Sequence, residues 1–191
     1  MKAIIVHRWD GTPQSDWYPW LKKELEKTKW KVIIPRMPNT SEPEIKAWVN
    51  HLQKIAENSK EEILFVGHSI GCQTILRYLA VASSKLKVRG IVLVAPWLTL
   101  QNLEDKEAKA IAEPWIKTPI DFGKVKEKTK NIIVILSDND QYVDYKKHKR
   151  LFAQKLNARI IVEKGKGHFT AEDGVVKMPV VLKELENFRK E

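Results

Sequence analysis

A chain of 191 residues with 43% hydrophobic and 30% charged side chains has the make-up of one globular domain, long enough to enclose a core. No apolar run approaches the roughly 20 residues that cross a bilayer as a helix, and the single cysteine, Cys72, excludes an intrachain disulfide and any multi-cysteine metal site. The net charge of +10, from 34 basic and 24 acidic residues, is spread along the chain without a nucleic-acid motif, so it reads as a solvated Lys/Glu-rich surface and not as a nucleic-acid face.

The first strand is expected at Ala3–His7; its apolar run is too short for a secretion signal, and a cytoplasmic location is the expectation. A helix follows across Asp16–Lys29, where Trp17, Trp20, Leu21 and Leu25 recur with helical period. After a second strand, Lys31–Pro35, Ser41 and Glu44 form a capping-box pattern ahead of a helix whose apolar face is Ile45, Trp48, Val49, Leu52 and Ile55. The third strand, Ile63–Gly67, leads to a helix over Cys72–Ala82, and the fourth is Gly90–Val94. Ala95–Thr129, with Pro96, Pro114 and Pro119, is a long excursion where a strand should pass quickly into a helix, and such excursions tend to be functional covers. Strand Ile132–Leu136, helix Tyr145–Leu156, strand Arg159–Val162 and helix Val180–Phe188 complete the chain. The densest basic cluster, Lys146-Lys147-His148-Lys149-Arg150, is expected to be one helix face in water. Nearly all-apolar strands separated by helices imply a three-layer, doubly wound α/β fold of about six mostly parallel strands, with helices on both faces. The expectation is a single domain, 1–191, with a small cap at 95–129.

The pentapeptide Gly67-His68-Ser69-Ile70-Gly71 lies between a strand and a helix, the setting of a nucleophile elbow. In that arrangement an acid and then a histidine follow along the chain. The loop Ser137-Asp138-Asn139-Asp140-Gln141-Tyr142-Val143 offers two acids, Asp138 and Asp140, and Gly165-Lys166-Gly167-His168-Phe169 offers the histidine. All would sit at the carboxyl ends of parallel strands, where open α/β sheets place their sites. His168 would take the proton of Ser69, since a serine hydroxyl is a poor nucleophile without a base, and the carboxylate would orient the imidazole. Two oxyanion donors are expected, the backbone N–H of Ile70 and one from His7-Arg8-Trp9-Asp10-Gly11, with Trp9 favoured over Arg8. His68 is expected to pack or to line the substrate pocket. Trp97 and Trp115, in the excursion, either line the pocket or have a purely structural role in the cap, while Trp20 and Trp48 fit apolar helix stripes. His7 either touches substrate or orients the oxyanion loop. Cys72 reads as a small buried side chain and not as a rival nucleophile.

Taken together, His7…Asp10-Gly11, Asp16-Trp17-Tyr18-Pro19-Trp20-Leu21, the elbow, Ser137-Asp138-Asn139-Asp140 and Gly167-His168-Phe169 resemble the small serine hydrolases typified by retinoblastoma-binding protein 9 and its bacterial YdeN-like relatives. The resemblance covers nearly the whole chain. It implies a compact α/β-hydrolase with a Ser-Asp-His triad and no metal or organic cofactor. Carried onto this sequence, the triad is Ser69, Asp140 and His168, because the family's acid is the second aspartate of its loop and an apolar position follows soon after it. One departure stands out: many α/β-hydrolases have His-Gly after the first strand, whereas Arg8 follows His7 here. A bulky cation at that point either reshapes the oxyanion loop or lies near the substrate. The expected activity is cleavage of a small carboxylic ester, less readily an amide, through an acyl-enzyme on Ser69, by a monomer or homodimer with no nucleic-acid or membrane partner. The alternative is a protein-interaction module on a hydrolase fold, since the mammalian relative is named for partner binding.

Overall fold

The computed structural model describes residues 1–57, 59–103 and 105–190. Six strands form one sheet: β1 (Lys2–Val6), β2 (Lys31–Ile33), β3 (Ile63–His68), β4 (Val88–Val94), β5 (Ile132–Ser137) and β6 (Arg159–Glu163). Their spatial order is β2-β1-β3-β4-β5-β6 and every pairing is parallel. The helices are α1 (Tyr18–Lys27), α2 (Ile45–Ala56), α3 (Ile70–Val81), α4 (Lys106–Lys117), α5 (Phe122–Lys128), α6 (Tyr145–Leu156) and α7 (Pro179–Lys190).

Alternate side chains of a strand point to opposite faces, and the cores divide accordingly. Ile4 and Val6 of β1 join α2, α3, α5 and α6 in one apolar cluster. Ala3 and Ile5 of the same strand join α1 and α7 in the other. The sheet is therefore buried on both sides, which is why its strands read as unbroken apolar runs. The strand order reverses direction between β1 and β3, and clefts in such sheets open at the carboxyl ends beside that switch point. The loops carrying Trp9 and Ser69 leave those two strands there.

Several boundaries differ from expectation for identifiable reasons. Pairing of β2 stops at Ile33, ahead of Pro35, whose missing N–H cannot extend a ladder. The capping box at Ser41 does not form: α2 begins at Ile45 with Glu44 as its cap residue and no side-chain cap bond. A helix starting at Ser41 would put Glu42, the residue before Pro43, in the helical region that the proline ring disfavours. The passage from 95 to 129 contains two helices that hydrophobic period alone did not reveal. Asp105 caps α4 by accepting from the N–H groups of Glu107 and Ala108, and Asp121 caps α5 through Lys124 N–H. Val125 of α5 joins the core beside α3, so α5 is the crossover between β4 and β5, while α4 stands out toward the cleft. The basic cluster on α6 is also not uniformly solvated. His148 is buried, its Nδ1–H donating to Asp144 O and its Nε2 accepting from Leu98 N–H at 3.1 Å.

Candidate active site

Ser69 sits at φ 54°, ψ −120°, a backbone conformation few non-glycine residues adopt, directly between β3 and α3. The turn is possible because its neighbours are small. A Cβ on Gly71 would overlap the Val6 carbonyl of β1, and one on Gly67 would lie 2.8 Å from Cys72 Cα. The result lifts Ser69 out of the helix axis and leaves Ile70 N–H at the first position of α3, without an intrahelical acceptor. The Cys72 thiol three residues on is fully buried, burial pushes its pKa well up, and it donates to Val94 O.

The loop after β5 meets the loop after β6 through four consecutive side chains. Ser137 Oγ accepts from Lys166 N–H at 3.0 Å, Asp138 Oδ1 from Gly165 N–H at 2.8 Å and Asn139 Oδ1 from Gly167 N–H at 2.8 Å. Asp140 does something different. Its Oδ1 accepts from the N–H groups of Tyr142 and Val143, and its Oδ2 lies 2.8 Å from His168 Nδ1. A carboxylate with this set of partners is an acceptor only, which assigns the proton to His168 Nδ1 and leaves Nε2 as the basic nitrogen. The Asp140 side chain is 1% exposed and that of His168 9%. Asp173 fixes His168 from behind, accepting from its N–H at 2.8 Å and from the Thr170 hydroxyl. Gly165, Gly167 and Phe169 all have positive φ, so this loop is tightly wound.

The loop after β1 is organised by buried polar groups. His7 accepts Met37 N–H at Nε2 and donates from Nδ1 to Arg8 O, so both nitrogens are committed and burial lowers its pKa. Arg8 N–H donates to Tyr18 Oη at 3.1 Å. Tyr18 Oη donates in turn to His68 Nδ1 at 2.6 Å, and His68 Nε2–H donates to His168 O at 2.7 Å. This relay joins the β1 loop to the β6 loop beneath Ser69. A second strap runs beside it: Asp16 accepts from Arg8 Nε at 2.8 Å and from Ala171 N–H at 2.9 Å. Burial alone would raise the Asp16 pKa, but the hydrogen bonds from Arg8 and Ala171 outweigh it and hold the carboxyl below its usual range. Burial, and then the proximity of His168, drive the His68 pKa down to about 3, so this ring is neutral and not a second base. Arg8 N–H is spent on Tyr18, whereas the next amide, Trp9 N–H, donates no hydrogen bond among the described residues.

Ser69, His168, Arg8, Trp9 and Trp97 line one cavity of about 510 Å³, and Leu100, Leu103 and Ile111 form its apolar side. A second cavity, at the amino ends of β5 and β6, contains none of the expected site residues. His7, His68 and Trp115 do not line this cavity, so of the alternatives read from the sequence the structure takes the non-pocket one for each: loop support for His7, packing for His68 and a structural place for Trp115. His7 and His68 are turned inward by the bonds just described. Trp115 is buried, donates to Pro43 O at 2.8 Å and carries the Arg77 guanidinium over its ring. Trp48 is fully buried, whereas Trp20 only packs partly against the second core. The pair Gln73 and Arg77, one turn apart on α3, ties down the segment after β4. Gln73 Nε2 donates to Trp97 O, and Arg77 donates to the carbonyls of Trp115, Thr118 and Pro119. Two long polar residues inside the apolar run of α3 were the available signal for this anchor.

A serine hydrolase family model matches residues 3–187. YdeN of Bacillus subtilis (strain 168), whose hydrolase name is itself provisional, is 30% identical over 191 residues, covering 98% of this chain and 95% of its own. The crystal structure of the B. subtilis ydeN gene product superposes with a TM-score of 0.90 at 28% identity, covering 100% of this chain and 99% of that one. Est1E from Butyrivibrio proteoclasticus superposes with a TM-score of 0.70 at 14% identity, over 97% of this chain and 88% of its own, a likeness of fold. The bacterial resemblance read from the sequence motifs is thus borne out.

Proposed function

Since this chain belongs to the serine hydrolase family, and is a YdeN-like member of it, we propose that it cleaves a small carboxylic ester, less readily an amide, through an acyl-enzyme on Ser69. The observation that carries this reading is the buried His168–Asp140 pair, which leaves His168 Nε2 as the basic nitrogen in the same cavity as the elbow serine. His168 removes the Ser69 proton as Oγ adds to the substrate carbonyl. Asp140 holds the tautomer and stabilises the imidazolium that forms. The N–H groups of Ile70 and Trp9 meet the oxyanion, each being a donor with no other acceptor among the described residues. The intermediate collapses, the leaving group departs with the proton from His168, and water repeats the sequence on the acyl-enzyme. Arg8 does not act as the oxyanion donor in this scheme; it is the brace that sets Trp9. Leu100, Leu103 and Ile111 line the cavity and shape its acyl subsite.

The test is a fluorophosphonate probe on the folded chain. Labelling is expected at Ser69 and nowhere else, and Ser69→Ala is expected to abolish it together with turnover of p-nitrophenyl acetate. Equal labelling of Ser69→Ala, or none in the intact protein, would sink the reading.

A further inference from the structure

The Ser69 oxygen has a neighbour the scheme above leaves idle. Trp97 Nε1–H donates to Ser69 Oγ at 3.2 Å, and both residues are buried, the tryptophan at 1% exposure and the serine at 6%. An indole N–H is a donor only, and a buried one usually finds an acceptor, although Trp17 and Trp30 here do not. Among the described residues, Ser69 Oγ is the acceptor this one has. The indole is held in place from both ends. Its carbonyl accepts Gln73 Nε2–H at 3.1 Å, and its ring is part of the core that α3 and α5 share. Trp97 is the hydrogen-bond partner that Ser69 Oγ has among the described residues, and no Ser69–His168 bond is formed in this arrangement; occupying one lone pair of Oγ leaves the serine's own proton unspent.

We propose that Trp97 is a further catalytic residue, whose N–H stabilises the Ser69 oxygen as the leaving atom when the acyl-enzyme is hydrolysed. The inference rests on the acyl-enzyme reading. In deacylation, water loses a proton to His168 Nε2 and adds to the acyl carbon. The C=O bond then re-forms, and the C–Oγ bond breaks with its electron pair going to Oγ. The imidazolium returns the proton there, giving a carboxylic acid and a free serine hydroxyl. While the acyl group is attached, the lone pair on Oγ is delocalised into the ester carbonyl, and the oxygen is a weak acceptor. At collapse it gathers negative charge and becomes a strong one. An interaction that strengthens between ground state and transition state accelerates the step, and a preorganised donor in a water-poor site does so without reorganisation. In acylation the gain is smaller, because the serine hydroxyl already accepts from Trp97 before attack. The residue is thus biased toward the second half of the reaction.

Stopped-flow turnover of a p-nitrophenyl ester separates the two halves, because the burst reports acylation and the steady state reports deacylation. Loss of one oxyanion-directed donor costs 10²–10³ in other hydrolases; for this longer contact to a neutral oxygen the expected loss is about tenfold. Trp97→Phe is expected to slow deacylation by that factor and acylation by less than about threefold, so kcat and KM fall together and kcat/KM changes little. Because phenylalanine also enlarges the cavity, the second variant places 3-benzothienylalanine at position 97, which keeps the ring shape and replaces N–H by sulfur. The same slowing in that variant supports the inference. Unchanged deacylation there, or an equal loss in both steps, overturns it. A wild-type chain that never becomes acylated at Ser69 instead removes the underlying reading, and that result is visible before any variant is made.

Discussion

The two sides of the cleft are built on different physics. The side made by the loops after β1, β5 and β6 is held by polar contacts with named partners: Arg8–Tyr18–His68–His168, Arg8–Asp16–Ala171, and the row from Ser137 to Asp140, with the Tyr18–His68, His68–His168 and Asp140–His168 bonds fully buried. The opposite side presents Leu100, Leu103 and Ile111, and its polar ties to the β5 loop are Gln101 N–H to Tyr142 O and Asn102 Nδ2 to Gln141 O. A buried polar group that loses its partner costs about 1–3 kcal/mol at once. An apolar wall loses contact in small increments, at about 0.8 kcal/mol for each buried methylene. The first kind of side holds atoms to fixed positions, as the proposed chemistry requires, and the second would tolerate a range of shapes.

The contrast breaks most sharply at the acid. Asp140→Asn is expected to lower kcat by a factor on the order of 10⁴, since the amide favours the wrong imidazole tautomer. Asp138→Asn retains an Oδ1 acceptor for Gly165 N–H, and its effect on p-nitrophenyl acetate turnover is expected to stay below about tenfold. The reverse ranking would show that the wrong aspartate has been assigned to the histidine. Next comes the relay. Tyr18→Phe strands Arg8 N–H and His68 Nδ1 together. The expected result is about 1–3 kcal/mol lost in urea unfolding and roughly tenfold in kcat/KM as Trp9 and His168 lose their register. A variant as active and as stable as the parent would mean that the relay positions nothing.

What the sequence disclosed follows the same division. Glycines around Ser69, the paired glycines before His168 and the run Ser137–Asp140 each answer to a requirement that few residue types meet, so short motifs revealed them. The strands were visible because both faces of the sheet are buried. The inner supports were not: His68 looks like a pocket residue beside the nucleophile, and only its distance to Tyr18, 50 positions away, shows that it faces inward. For His7 and Trp115 the sequence left two alternatives open for the same reason, since a buried ring whose polar atoms are satisfied has no local signature. Helix α4 was hidden differently. It has an acidic cap and good helix formers, but Pro114 near its end and the prolines around it suggested irregular chain. Pro96 and Pro119 in fact sit outside the helices, the first just after β4 and the second between α4 and α5.

Acid should loosen the polar side first. His68 titrates near 3 in the folded chain against about 6.5 when unfolded, so between those values the unfolded state binds the additional proton. Stability contributed by the neutral ring is complete above the unfolded value and declines as pH falls below it. His7 and His148 are shifted downward by burial as well and act in the same direction. From His68 alone, a loss on the order of 2 kcal/mol is expected between pH 7.5 and 5.0. Urea midpoints at the two pH values measure it, with His68→Asn expected to show a shallower dependence. Identical midpoints for the parent at both pH values would contradict a buried neutral His68.

The smallest effect belongs to the apolar side, and it tests whether that side touches substrate at all. Ile111 is half-buried on α4 and lines the cavity. Ile111→Ala removes side-chain carbons from the wall without disturbing a polar partner, so stability should change by about 1 kcal/mol or less. Its consequence should appear in a series of p-nitrophenyl esters from acetate to hexanoate. A wall that contacts the acyl chain contributes up to about 0.8 kcal/mol for each methylene it covers, or roughly a fourfold gain in kcat/KM per carbon. The variant should flatten that slope for the longer esters and leave acetate least affected. If the slope is the same in parent and variant, the acyl chain lies elsewhere. The helix standing over Ser69 would then be a brace for the fold and not a cover for the site.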